Sequence, residues 1–190
     1  MSKYTQKSGK WIYHPEQVTP FRLSRSKIDM FLDCPGCFYL DRRLGLGRPG
    51  MPGWSLNSAV DELLKKEFDL LRKSGQTHEL MKQYGIDAVP YQHEMMDKWR
   101  ENFVGISFVH PQTNLEIFGA VDDIWVNKDG ELIIVDYKST STQEEISLES
   151  EYKQGYKKQM EVYQWLFRQN GFKVSPIGYF VFANADKNLP

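Results

Sequence analysis

Cysteine is scarce: only Cys34 and Cys37 occur among 190 residues, too few for a disulfide framework and in keeping with a reducing compartment. No stretch approaches the roughly 18 consecutive apolar residues of a membrane-spanning helix. The opening ten residues, Met1 to Lys10, lack the apolar run of a secretory signal. A cytoplasmic protein with no membrane partner is therefore the expectation. Neither sign of charge dominates, with 24 Lys+Arg against 25 Asp+Glu. The four histidines, His14, His78, His93 and His110, show no ligand spacing and read as structural or exposed. Internal repeats and low-complexity tracts are also missing. What remains is ordinary globular composition, 41% hydrophobic and 14% aromatic, sufficient for one compact domain and short for two.

The near-neutral total conceals a gradient, from a net of +5 over residues 1–50 to −2 over 51–110 and −4 over 111–190. A basic first part suits a polyanion and an acidic last part suits metal ions. Residues 1–22 read as an N-terminal arm and 23–190 as a single domain. Ser24 to Leu32 reads as a helix, with Ser26 and Asp29 spaced as a capping box, and Cys34-Pro35-Gly36 ends it. A stronger helix is expected from Ser58 to Arg72, where Val60, Leu63, Leu64, Phe68 and Leu71 recur at helical spacing after an Asn57 N-cap. Glu79–Tyr84 and Gln92–Phe103 are expected to be helical too.

The pattern then turns to β-branched residues separated by turn residues, predicting a three-stranded antiparallel meander at about 105–110, 115–126 and 131–138. A polar loop, a helix from Glu151 to Asn170 and a strand at Ile177–Phe182 complete the chain. The fold class is α/β.

The chemistry-bearing segment is Phe118-Gly-Ala-Val-Asp-Asp-Ile-Trp125 with Ile133-Ile-Val-Asp-Tyr-Lys138. Asp136 and Lys138 lie two apart on a strand, so their side chains leave one face. Burial there costs both charges unless something compensates. A Mg²⁺ or Mn²⁺ ion held by Asp136 and a second carboxylate would do so, since both are hard cations that take oxygen ligands. Asp122 is the expected second ligand. A three-residue loop, Lys128-Asp129-Gly130, would set Asn127 opposite Glu131 and Asp122 opposite Asp136. A two-residue Asp-Gly turn would bring Asp123 opposite instead. The register that serves the metal is the expectation, with Asp123 then solvated.

Gly119 and Asp122, then Asp136 and Lys138, then Gln159 and Tyr163 follow Gly-x-x-Asp, Asp-x-Lys and Gln-x-x-x-Tyr. This set resembles the PD-(D/E)XK nuclease superfamily, and within it the RecB-like branch that includes the CRISPR-associated adaptation exonucleases. The resemblance runs from Ser24 to about Asn184. It implies a restriction-endonuclease-like αβββαβ core, a mixed sheet flanked by helices, with an N-terminal helical extension. It also implies that Asp122 and Asp136 bind Mg²⁺ or Mn²⁺, and that Lys138 activates the attacking water and neutralises charge at the phosphate. Gln159 and Tyr163 share a helix face and would either meet substrate or support Lys138. Where the family often carries a histidine four residues after a glycine, this chain has Asn57 and Asp61. Asp61 is a third candidate ligand, although a first-turn Asp is equally explained by the helix dipole.

The implied activity is metal-dependent phosphodiester hydrolysis by a deoxyribonuclease, on single-stranded DNA or DNA ends, in repair, recombination or phage and defence processing, with a helicase or recombination protein as a possible partner. The alternative is a catalytically inactive nucleic-acid-binding module of the same fold in a larger complex. Some family members hold an iron–sulfur cluster with four cysteines. Two cannot, so no cluster is expected from this chain alone. Cys34 and Cys37 have zinc-like spacing without two further ligands and read as buried thiols. Arg22, Arg25, Lys27, Arg42, Arg43 and Arg48, with Trp11, Tyr13, Phe38 or Tyr39, are candidates for phosphate contact and base stacking. A solvated basic face accounts for them equally well. Lys153, Lys157 and Lys158 are further candidates by position.

Overall fold

The computed structural model describes residues 5–49, 55–142, 146–148 and 154–184. Within the segment read as an arm, the short strand β1 (Thr5–Gln6) pairs with β3 (Leu46–Gly47), which lies beyond it in the chain. Next come β2 (Phe21–Ser24), α1 (Arg25–Asp33) and α2 (Pro35–Arg42), then α3 (Ser55–Ser74) and α4 (Glu79–Gln83). After β4 (Ala88–Pro90) and α5 (Met96–Arg100), four strands follow: β5 (Ile106–His110), β6 (Leu115–Gly119), β7 (Asp123–Asn127) and β8 (Leu132–Thr140). The helix α6 (Gln154–Gln169) and β9 (Tyr179–Asn184) complete the order. The start expected for α6, residues 151–153, lies outside the described residues, as do residues 50–53 of the Gly/Pro-rich loop.

The meander is not one sheet. The strand expected over 115–126 breaks after Gly119, and its halves belong to different sheets: β2-β6-β5, and β4-β7-β8-β9. Each is mixed, with β2 parallel to β6 and β9 parallel to β8. Two glycines meet at the break. Gly105, at φ +58°, sits so close to Gly119 that a Cβ on it would lie 2.1 Å from the Gly119 carbonyl oxygen. The Val121 amide then donates to the Trp99 carbonyl (3.0 Å) rather than to a strand, so the chain turns into the second sheet.

Both faces of the four-stranded sheet are covered, which explains the unbroken apolar run Leu132–Val135. Ile124, Leu132 and Ile134 pack with Met160, Tyr163, Leu166 and Phe167 of α6. Trp125, Ile133, Val135 and Tyr137 pack with Phe68 of α3 and Met81 of α4. Phe68 is the hub of that second cluster, with ring centroids 5.4 Å from Trp125 and 5.7 Å from Tyr137. No helix among the described residues is long and apolar enough to cross a membrane.

Local expectations shift in several places. Ser24, not Ser26, precedes α1, and Asp29 pairs with Arg25 one turn back, so no capping box forms. α3 begins before Asn57, which therefore lies within the helix, and Leu63 is 64% exposed instead of core. The helix expected over Gln92–Phe103 contracts to α5, because the His93 ring accepts from the Met95 amide (3.1 Å) and Phe103 adopts φ +68°. Cys34 and Cys37 are half-buried and joined by a disulfide, not buried thiols. Cys34 caps α2 and Pro35 opens the helix, which places the two sulfurs on one turn.

Candidate active site

The β7–β8 hairpin sets the site. Its loop is Lys128–Gly130, closed by the Asn127 amide on the Glu131 carbonyl (3.1 Å), with Gly130 at φ +72°. The Asn127 side-chain oxygen accepts from the amides of Asp129 (3.0 Å) and Glu131 (2.9 Å). Pairing of Asp123 with Val135 and Val126 with Leu132 continues outward to place Asp122 opposite Asp136. Just before the start of β7, Asp122 accepts the Tyr137 amide at 2.9 Å.

Around this pair the α6 face converges. Asp136, 1% exposed, forms an ion pair with Lys138 through Oδ2 and accepts from the Gln159 side chain through Oδ1 (2.7 Å). The Gln159 amide nitrogen also lies 3.3 Å from the Tyr163 hydroxyl. Tyr163 reaches in only because residue 119 has no side chain, since a Cβ there would lie 2.4 Å from its ring. Gly119 of the first motif and Tyr163 of the third thus fit each other. The Lys138 ammonium lies 4.7 Å from the centre of the Tyr156 ring. A shallow cleft lined by Asn57, Asp61, Lys138, Ser139 and Tyr156 opens beside it.

Electrostatics reflect crowding of carboxylates. Burial, reinforced by the charges of Asp136 and Asp61, pushes the Asp122 carboxyl up to about 7 against the opposing pull of Lys65 and the Tyr137 amide. Lys65 is a participant that motif reading missed: its ammonium is 2.7 Å from Asp61 and 3.7 Å from Asp122. Its position four residues after Asp61 on one helix was the signal available. Among the described residues no ready-made cage of three or more metal-binding side chains is closed. Even so, Asp61 Oδ1 is buried with no hydrogen-bond donor, and Asp136 Oδ2 has only the Lys138 ammonium. Acidic oxygens so short of donors, beside a third carboxylate, fit a hard divalent cation.

Asp123 is not solvated. It is wholly buried on the opposite face, where Oδ1 accepts from Arg72, Arg100 (2.9 Å) and the Ile124 amide (2.7 Å), and Oδ2 accepts from the Tyr137 hydroxyl (2.7 Å). Asp69 completes this network by pairing with both arginines. Although burial pushes its carboxyl up, Arg100 and Arg72 outweigh that and hold it below the usual carboxylate range.

The basic residues divide. Arg22, Arg25, Lys27 and Arg42 line one cavity together with Trp11. Arg43 donates to the Tyr13 carbonyl (3.2 Å), Arg48 is exposed, and Lys158 lies 4.0 Å from Asp33. Tyr13 packs edge-on against Phe21, and Phe38 against Phe31. Lys153 lies outside the described residues. His78 stacks on Phe68 and His93 on Trp99, both as structural residues.

The family model of the PD-(D/E)XK nuclease superfamily matches residues 54–188, well over half of the chain. That span contains the motif residues from Asp61 to Tyr163. No curated protein matches the chain.

Proposed function

We propose that the chain, which belongs to the PD-(D/E)XK nuclease superfamily, is a Mg²⁺- or Mn²⁺-dependent deoxyribonuclease that hydrolyses phosphodiester bonds in single-stranded DNA or at DNA ends. The observation that carries this reading is the Asp122–Asp136 pair, directly opposed across the β7–β8 ladder, with Lys138 on the same face. The RecB-like branch, an exonucleolytic mode and a role in repair, recombination or defence against phage rest on the motif resemblance.

Asp122 and Asp136 would hold the ion, with Asp61 as a third oxygen donor from α3. When bound, such an ion lowers the pKa of a water and offsets charge on the phosphate. The remaining work falls to side chains of this chain. Gln159 fixes the Asp136 carboxylate through Oδ1, leaving Oδ2 directed at the site. Lys138, 18% exposed, places an ammonium where negative charge grows on the non-bridging oxygens in the transition state. It also holds an attacking water in line through a hydrogen bond. Tyr163 anchors Gln159 and packs against Gly119, so the third motif acts on the first two by positioning them.

One observation favours a second reading, a non-catalytic nucleic-acid-binding module. Lys65 already spans Asp61 and Asp122, and Lys138 already pairs with Asp136. Each acidic group therefore has an ammonium neighbour. A single assay separates the two readings: end-labelled and circular single strands incubated with Mn²⁺ and either wild type or Asp136→Ala. Cleavage by wild type alone supports the nuclease, and intact strands in both reactions support the module.

A further inference from the structure

A second concave site adjoins the acidic pair. It is a cavity of about 440 Å³ whose wall includes Gly119 and Tyr163, so it shares these two residues with the hydrolytic machinery. Among the described residues five of its lining side chains are cationic and none is acidic, although Arg22 and Arg25 already pair with Glu116 and Asp29. Three of the cations are gathered by one residue: the wholly buried Asp41 pairs with Lys7, Arg42 and Lys27 (3.1 Å). One carboxylate cannot neutralise three cations, so the cluster keeps an excess of positive charge facing the cavity. Burial, with smaller contributions from the charges of Lys7 and Arg42, pulls the Lys27 ammonium below its usual range although Asp41 opposes that.

The cavity also has an aromatic wall with an unusual member. Phe103 is 71% exposed and holds φ +68°, a conformation few non-glycine residues adopt. Arg22 fastens it there by donating to its carbonyl (3.0 Å), while lying 4.2 Å from the centre of the Phe118 ring. The Phe103 ring meets Trp11 edge-on at 6.2 Å. A strained loop that presents an aromatic ring to solvent beside a cationic cluster points to a ligand with a flat face and a negative charge.

We propose that this cavity binds one unpaired nucleotide of the strand being cut, with its phosphate on Lys7, Lys27 and Arg42 and its base against Phe103 and Trp11. The inference rests on the nuclease reading for the course of the strand from the acidic pair past Gly119. It adds a physical source for single-strand preference, because a base stacked on protein cannot remain stacked in a duplex.

The test measures affinity in EDTA, where metal-dependent cutting does not run, by fluorescence anisotropy of a labelled single strand and its duplex at two salt concentrations. Phe103→Ala, at an exposed ring, should weaken single-strand binding roughly tenfold and leave duplex binding unchanged. Lys27→Gln should lower affinity for both and reduce the slope of log affinity on log salt by about one. Wild-type affinity in both variants, equal loss on single strand and duplex in Phe103→Ala, or no single-strand binding by the wild type would each overturn the proposal. Mn²⁺-dependent cleavage scored in parallel keeps the readings apart. Cleavage with unaffected variants removes the pocket and keeps the nuclease, whereas variant-sensitive binding without cleavage keeps the pocket and removes the nuclease.

Discussion

On the α3 face of the four-stranded sheet, Asp123 meets two guanidiniums, a phenol and a backbone amide. One residue earlier, on the α6 side, Asp122 faces two other carboxylates with an ammonium 3.7 Å away. The alternation of a strand sends these adjacent side chains in opposite directions, and the two environments handle charge in opposite ways. Around Asp123 every acceptor is used, which is how a buried carboxylate becomes structural. Around Asp122 and Asp136 the carboxylates crowd one another, and burial with that mutual repulsion raises the Asp122 carboxyl. Arg100 touches both regions, since it pairs with Asp123 and also donates to the Asp122 backbone carbonyl (2.9 Å). The satisfied network thereby supports the crowded one.

The contrast is broken most severely at its functional side. Lys138→Ala should lower Mn²⁺-dependent hydrolysis about a thousandfold per folded molecule, read by cleavage of end-labelled strands beside a melting curve that fixes the folded fraction. On the structural side the effect should invert. Asp123→Ala leaves Arg72 and Arg100 buried without their partner and should cost about 3–5 kcal/mol of stability in urea unfolding. Its cleavage rate per folded molecule should stay within a few-fold of wild type. A large rate loss in a fully folded Asp123 variant would show that the two faces do not divide this labour.

A smaller effect is expected where the motifs meet. Gly119→Ala introduces a methyl against the Tyr163 ring and should cost about 1–3 kcal/mol by overpacking. Cleavage should fall as well, because Tyr163 then releases Gln159. Tyr163→Phe in the same background, which keeps the clash, should not restore stability.

A pH dependence sharpens the comparison from the acidic side. The Asp122 carboxyl in the metal-free fold lies near 7, above its unfolded value of about 3.9. The native state therefore binds the extra proton. Its contribution to stability is full below about pH 4 and is lost as pH rises through about 7. In EDTA the thermal midpoint should decline between pH 5 and 8, and Asp122→Asn should flatten that slope. Adding Mn²⁺ at pH 8 should raise the wild-type midpoint and leave that of the variant nearly unchanged.

The sequence narrowed the hairpin to two registers, because a strand has a period of two and Gly130 suits either loop; the one that sets Asp122 opposite Asp136 was expected only on the strength of the metal chemistry, and the three-residue loop realises it. The burial of Asp123 was not legible. Its partners Arg72 and Arg100 come from α3 and α5, and nothing local in Val121-Asp-Asp-Ile124 distinguishes a solvated acid from one with two guanidiniums above it. The break after Gly119 was hidden for a similar reason. The segment from Leu115 to Val126 has strand composition throughout, and only the close approach of Gly105 and the seating of Tyr163 divide it. Lys65 escaped notice because lysine on an exposed-looking helix face is ordinary until the opposing strand is in place.

What residue order alone determined is local and periodic: the common face of Asp136 and Lys138, the shared helix face of Gln159 and Tyr163, and the apolar runs that bury both sheet faces. Tertiary structure decided which neighbours each charge received. Electrostatic environment depends on distance in space and on exclusion of water, and these arise only when α3, α5 and α6 close on the strands, so two identical carboxylates one bond apart in sequence took opposite roles.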